Sequence, residues 1–439
     1  MDIVPKENDE EDRMKIKVKE ISLSSVYGIK MPKHPIPKKP NIFFRTLVRL
    51  AAIPELSETD FTVNKTGMEK LGKNEPCLFL MNHSCFLDLK IASAVLYPRP
   101  YQIICTQDGF VGKEWLMRNL GCIPKKKLVS DFTVIRDMLY CFKKLKTSVL
   151  MYPEASYSFD GTATPLPESL GKCLKLLGVP VVMIRTYGAF GHDPLYNGLQ
   201  LRKTKVSADV RYLFSAEDVK TKSAAELNAV LKSEFTIDNF RWQQENRVKI
   251  DEPFRADHLN RVLYKCPHCN AEGMTEGVGD KLICHNCNKT YTLDEYGCLR
   301  AEDGIFDHIP DWYAWERECV KKELQDGTYK TECDVDICVL ADYKCIYKVG
   351  TGHLVHDCDG FFLMGCDGRL EYRQGITASY GLYSDYYWYE IGDMICLGNN
   401  GLMFYCFPKN AGDIVAKARI ATEELYKIGI KRLKEKAPS

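Results

Sequence analysis

A histidine and an aspartate five positions apart, His83 and Asp88, follow directly on the apolar run Cys77-Leu78-Phe79-Leu80-Met81. About seventy residues later a Pro-Glu turn, Pro153-Glu154, follows another apolar run, Val149-Leu150-Met151-Tyr152. An imidazole oriented by a carboxylate at the end of a buried strand is what an enzyme needs to activate a hydroxyl. If a strand ends near Asn82 and a helix begins near Ser84, His83 occupies the connecting turn. Asp88 then lies about one turn into the helix, within reach of the ring. A carboxylate on one ring nitrogen sets the tautomer and leaves the other nitrogen as the base. A surface His beside a helical Asp has the same spacing, so the pair acquires meaning only from the segments around it.

Those segments alternate. Candidate strands are Cys77–Met81, Gln102–Thr106, Ser148–Tyr152, Pro180–Arg185 and Ser207–Phe214, with helical patterns between them. In Asp131–Lys146, Ile135, Met138, Leu139, Phe142 and Leu145 share one face, and Asp131 is placed to cap it. Residues 215–247 read as helical, with Ser215 and Asp218 at capping-box spacing. Alternation of this kind predicts an α/β layer structure.

Four motifs occur in order across this region. They are Asn82-His83-Ser84-Cys85-Phe86-Leu87-Asp88; Gly121-Cys122-Ile123-Pro124-Lys125; Tyr152-Pro153-Glu154-Ala155-Ser156-Tyr157-Ser158; and the strand opening Val179-Pro180. The set resembles the glycerolphosphate and lysophosphatidate acyltransferase family over roughly residues 60–215. The resemblance implies an α/β catalytic domain and O-acyl transfer from an acyl thioester, with acyl-CoA or acyl-carrier protein as donor. The acceptor would be a hydroxyl of a lysophospholipid such as 1-acyl-glycerol-3-phosphate, in phospholipid synthesis. His83 would deprotonate that hydroxyl, Asp88 would orient His83, and Glu154 would position the acceptor. Cys85 is read as helix packing rather than as a nucleophile.

The third motif departs from the family pattern. Its small Gly is Ala155, its Thr is Ser156, and the Arg that pairs with the acceptor phosphate is Tyr157. Lys125, Lys126 and Lys127 stand where the second motif carries an Arg. A lysine binds phosphate as a point charge without the bidentate fork of arginine. Arg185, just after the fourth motif, is a candidate to compensate. The substrate-contacting candidates are therefore Glu154, Lys125, Lys126, Arg185, Tyr157 and Ser156. A non-catalytic lipid- or protein-binding scaffold retaining the fold is the alternative, favoured by the altered third motif and opposed by intact His83, Asp88 and Glu154.

A second constellation is Cys266-Pro-His-Cys269 and Cys284-His-Asn-Cys287, two Cys-x2-Cys pairs fourteen residues apart. This is zinc-ribbon spacing, and four thiolates imply a structural ion. His268 and His285 lie inside the knuckles as substitute ligands. The flanks, Glu272, Glu276, Asp280, Asp294 and Glu295, are acidic, so nucleic acid is not an expected partner.

The rest of the chain frames these sites. It has 439 residues, 45% hydrophobic and 27% charged, with a net charge of +1 and nineteen Cys. The balance is that of a globular protein without a global field for nucleic acid. The acidic start MDIVPKENDEEDR is unlike a signal peptide, and no apolar run reaches the length of a membrane span. A cytoplasmic protein, peripheral on the membrane, with mostly reduced cysteines is expected. Residues 1–40 read as a flexible arm and 41–250 as the acyltransferase domain; 262–300 is the zinc ribbon, and 330–435 a β-rich domain with a C-terminal helix.

That last domain is similar in outline to pleckstrin-homology-like folds, and its Tyr380, Tyr383, Tyr386, Tyr387, Trp388 and Tyr389 read mainly as sheet packing. Between Ile21 and Pro54 there is no acidic residue, yet there are Lys30, Lys33, Lys38, Lys39, Arg45 and Arg49. Ile42, Phe43, Leu47, Leu50 and Ile53 follow helical spacing. The helix either packs on the core with snorkelling arginines or lies on anionic lipid.

Overall fold

The computed structural model describes residues 16–30, 32–127, 132–409 and 414–436. Seven strands form the first sheet. In spatial order they are Thr62–Thr66, Ser207–Phe214, Val181–Tyr187, Leu78–Met81, Ser148–Met151, Tyr101–Thr106 and Cys122–Lys125. All neighbours are parallel except Val181–Tyr187 and Ser207–Phe214. The central strands are continuous apolar runs because both faces are covered. Leu78, Leu80, Val149, Val181 and Met183 pack on one side, against Leu170, Leu174 and Leu227 of the covering helices. Phe79, Met81, Leu150, Val182 and Ile184 pack on the other, against Leu87, Ile91 and Val95.

The expected strands are present. Thr62–Thr66 is one the sequence pattern did not disclose, since its five residues are all exposed and show no apolar alternation. The helix expected over 131–146 runs from Thr133 to Tyr140 and continues as a π turn at Cys141–Leu145, with Phe132 as a cap that makes no side-chain bond. Asp131, the expected cap, lies outside the described residues. The capping box of Ser215 and Asp218 is made, and a second follows at Ser223 and Glu226.

Gly121 opens the second motif at φ 87°, closing the helix Glu114–Leu120 in the left-handed region, and a Cβ there would meet Pro40 Cγ at 2.7 Å. Both features require glycine.

A four-stranded antiparallel sheet, Thr275–Val278 through Leu299–Arg300, forms around the cysteine pairs. The helix Ile309–Asp326 leads from it to the C-terminal β domain. There Lys330–Val339, Ile346–Asp357, Gly360–Gly365 and Leu370–Gly375 form one meander. Tyr383–Trp388, Gly392–Gly398 and Met403–Pro408 form a second, joined to the first through its outer strands. The helix Ile414–Lys436 closes the domain.

The arm expected over 1–40 is structured in its described part. Val18–Glu20 pairs in parallel with Ile346–Lys348 of the β domain, and Leu23 and Val26 of the helix Leu23–Tyr27 enter its core. Ile16-Lys17-Val18-Lys19 alternates apolar and polar residues over only a few positions, and the open side of the distant strand Ile346–Asp357 supplies the partner that makes it a strand.

Candidate functional site

The strand Leu78–Met81 lies between Ser148–Met151 and Val181–Tyr187, with Leu80 beside Met151 and Met81 beside Ile184. Parallel strands in register deliver their following loops to one edge, where ligands bind in open α/β sheets. His83 therefore comes out beside Glu154. Asn82, still buried, ties its loop to the next strand: its Oδ1 accepts from Thr186 N at 2.7 Å.

The helix Leu87–Leu96 starts with Asp88 in its first turn. Asp88 Oδ2 lies 2.8 Å from His83 Nδ1 and accepts from Ser84 N at 2.7 Å and Cys85 N at 3.2 Å. Donors converging on one oxygen fix the carboxylate's orientation and aim it at the ring. That selects the tautomer with the proton on Nδ1 and directs Nε2 away from Asp88 as a base. Burial holds the imidazole below the ordinary histidine value, opposed by Asp88 and assisted by the Lys127 cation.

Glu154 does not touch the imidazole. Its Oε2 accepts from His83 N at 2.8 Å, and its Oε1 accepts from Thr164 N at 2.8 Å. Burial pushes its carboxyl up to about 7, against the pull of those donors. In this structure it is the brace of the histidine loop. Ala155, where the resemblance has glycine, keeps the left-handed backbone at φ 56°. The turn geometry thus survives the change of residue, at a steric cost of about 1–2 kcal/mol.

Tyr157 and Tyr152 sandwich His83. Their ring centroids stand 4.1 and 4.0 Å from the imidazole. Tyr157 brings an aromatic wall rather than a cation, and Phe86 continues that wall 5.6 Å further out. Ser156, buried, faces the β domain.

The basic candidates scatter. Lys125 ends the edge strand Cys122–Lys125, at the same edge of the sheet. Lys126 turns away, its Nζ donating to the carbonyls of Asn400 and, at 3.1 Å, Gly401 in the β domain. Arg185 is not at the site. It alternates with Thr186 along its strand and so points to the opposite face, where Nε donates to Glu234 O at 2.8 Å and Nη2 pairs with Glu234 Oε2 at 3.2 Å. Strand periodicity could have found this: the residue beside Thr186 cannot share its face.

Sequence reasoning missed the contribution of the β domain. Its tyrosine-rich segment is a docking edge as much as sheet packing. Tyr383 O–H donates to Asp108, Trp388 Nε1 donates to Asp108 Oδ2 at 3.2 Å, and Tyr380 O–H donates to Pro153 O at 3.5 Å. Lys127 lies 4.2 Å over the Tyr383 ring, and Arg419 Nη2 donates to Ser156 Oγ at 2.9 Å. No local signal marks these residues, because contacts across more than two hundred residues leave no periodicity.

The cysteine group is formed as expected. The four sulfurs of Cys266, Cys269, Cys284 and Cys287 lie within 4.8 Å of one another, with Cys266–Cys287 and Cys269–Cys284 at 3.7 Å. Four thiolates about 2.3 Å from a central zinc would stand about 3.8 Å apart, so the residues fit a tetrahedral ion. His268 and His285 are engaged elsewhere, with Tyr291 Oη at 3.0 Å and Glu276 Oε2 at 2.7 Å, leaving the ligand set all sulfur. A bound zinc would close the two knuckles.

Residues 62–186 match the acyltransferase family model. The matched segment includes the strands and loops that carry His83, Asp88 and Glu154. Among solved structures, PlsC, the 1-acyl-sn-glycerophosphate (LPA) acyltransferase from Thermotoga maritima, is similar at 16% identity and a TM-score of 0.35; the alignment covers 44% of this chain and 76% of that one. No curated protein matches the chain. Among the described residues, no helix is long and apolar enough to cross a membrane.

Proposed function

We propose that this acyltransferase domain moves a fatty acyl group from an acyl thioester, acyl-CoA or acyl-carrier protein, to a hydroxyl of a lysophospholipid such as 1-acyl-glycerol-3-phosphate. The supporting observation is the His83–Asp88 contact of 2.8 Å at the carboxyl edge of the sheet. His83 Nε2 takes the hydroxyl proton as the oxygen attacks the thioester carbonyl, and the protonated ring then returns the proton to the departing thiolate. Asp88 stabilises the imidazolium that forms between the two steps. Glu154 holds the His83 backbone, and Tyr152 and Tyr157 hold the ring faces. The test is transfer from labelled acyl-CoA to a panel of lysolipids.

The base must be neutral to act. His83 is held below the ordinary histidine value, so kcat/KM is expected to rise with pH along an acidic limb lying below about 6.5 and then level off. Removing a neighbouring cation favours the imidazolium. Lys127→Gln should therefore move the limb to higher pH. A limb that stays in place or moves down would show that Lys127 does not act on His83.

The enzyme works on a membrane surface. The helix Ile42–Ala51 has no buried residue, and Phe43 is 64% exposed. Phe86 on the catalytic loop is 67% exposed and Trp115 on the neighbouring helix 69%. With Arg45, Arg49 and an acid-free approach, this apolar face suits an anionic bilayer and leads through Phe86 and Tyr157 to His83. Burying such a side chain in lipid contributes about 1.5–3 kcal/mol. Phe43→Ser with Leu47→Ser is expected to weaken sedimentation with phosphatidylglycerol vesicles by about a hundredfold, with little change in melting temperature. Unchanged sedimentation would rule out this face.

A further inference from the structure

Arg419 reaches the third motif from the far end of the chain. It lies on the closing helix Ile414–Lys436, is 3% exposed, and donates from Nη2 to Ser156 Oγ at 2.9 Å. Its guanidinium stacks 4.0 Å over the Phe159 ring. The nearest carboxylate oxygen, Glu423 Oε1, stands 3.6 Å from Nε, and Glu423 Oε2 is only 2.8 Å from Arg317 Nη1. Arg317 also binds Glu424 at 2.9 Å, and Glu424 holds Lys427 at 2.7 Å. The local acids are thus shared among other cations. Arg419 Nη1 is buried and has no hydrogen-bond partner among the described residues.

A buried guanidinium nitrogen without an acceptor is destabilising and uncommon in native structures. Here it stands next to the residue that precedes Tyr157, the aromatic substitute for the motif's arginine. A second cation is close. Lys127 is partly buried and near enough to Arg419 and to His83 for each to feel its charge. Asp385 and Asp108 face it; burial pushes the Asp385 carboxyl up to about 7, which weakens its claim on the lysine near neutral pH, and Asp108 also accepts from Tyr383 and Trp388.

We infer that Arg419 and Lys127 form a phosphate-binding site beside His83, in which the closing helix supplies the guanidinium that Tyr157 displaces from the third motif. The inference deepens the acyl-transfer reading and rests on it for the identity of the bound molecule, a phosphate-bearing acceptor. A guanidinium with free N–H donors and an adjacent ammonium suit a phosphate monoester. Acceptors without phosphate would lose this contact.

The test uses the full chain and titrates inorganic phosphate by calorimetry into wild type, Arg419→Gln, Arg419→Lys and Lys127→Gln. Wild type is expected to bind. Arg419→Gln should weaken binding at least tenfold, and Arg419→Lys less, since it keeps the charge without the fork. Lys127→Gln should weaken it several-fold and guards against a folding defect at the buried arginine. Equal binding by wild type and both glutamine variants, or no binding by wild type, would overturn the site.

Competition by a short-chain lysophosphatidate assigns the phosphate to the acceptor; competition by CoA alone assigns it to the donor and overturns the acceptor claim. In turnover, Arg419→Gln should raise KM for lysophosphatidate and spare monoacylglycerol. Equal losses on both acceptors would mark a structural role and overturn the proposal while acyl transfer stands. Arginine-dependent phosphate binding by a protein that transfers no acyl group would instead uphold the site and overturn the acyl-transfer reading.

Discussion

His83→Ala is expected to lower acyl transfer by about 10²–10⁴-fold, the usual contribution of a positioned general base. The residue is partly buried and its main-chain N–H, which donates to Glu154, is untouched by the change. Lost activity should therefore come with a retained fold. Asp88→Asn is the companion variant. An asparagine at this position still occupies the volume but cannot accept the Ser84 and Cys85 N–H bonds and the Nδ1–H bond as a charged oxygen does. The imidazolium then loses its counter-charge, and Nδ1–H is no longer the preferred tautomer, so a loss of similar order is expected. The measurement is single-turnover transfer from labelled acyl-CoA, with circular dichroism as the check on folding. Full activity in His83→Ala would remove the general-base assignment, and no transfer by either protein would leave the scaffold alternative in its place.

Metal removal should have the other large effect. The four-stranded ribbon sheet is small, and its pairing ends at the two knuckles. Domains of this size without a metal rarely bury enough surface to fold, and structural zinc contributes on the order of 10 kcal/mol in such modules. The ribbon does not stand alone. Tyr291 packs 5.0 Å from Trp312, whose Nε1 donates to Lys265 O at 2.9 Å, and Glu272 binds Lys417 of the closing helix at 2.8 Å. Cys284→Ser, or exhaustive chelation, is therefore expected to lose one zinc per chain and unfold residues 264–300. It should also loosen the helix Ile309–Asp326, seen as faster amide exchange in both segments. Metal analysis of the wild type is the direct check. A protein that carries no zinc, or exchange that is unaffected by chelation, would show that the thiols do not hold a metal.

How far the sequence carries differs by element. The buried strands were legible because a parallel sheet covered on both faces demands uninterrupted apolar runs, and Leu78–Met81, Ser148–Met151 and Val181–Tyr187 have them. His83 and Asp88 were legible as a pair, since a turn followed by the first turn of a helix brings residues five apart into contact whatever surrounds them. The cysteine knuckles were legible for the same local reason. Capping at Ser215 depends only on its own four residues, and it is made as written.

What the sequence left open depends on residues far apart in the chain. The helix Ile42–Ala51 reads as core or interface from periodicity, and among the described residues no element covers Phe43 and Leu47, which leaves them exposed. Arg185 follows the fourth motif immediately, yet a one-residue step along a strand reverses the face, and Glu234 holds it there. Lys126 and Lys127 are neighbours with different fates, because one meets the turn at Asn400 and the other the ring of Tyr383. Arg419 belongs to a helix whose pattern announces only packing, and its bond to Ser156 spans 263 positions. Local spacing determines elements, caps and chelating pairs, since their energies come from neighbours along the chain. Which cation faces the histidine was decided by how the β domain docks, and docking energy is distributed over surfaces that no stretch of sequence contains.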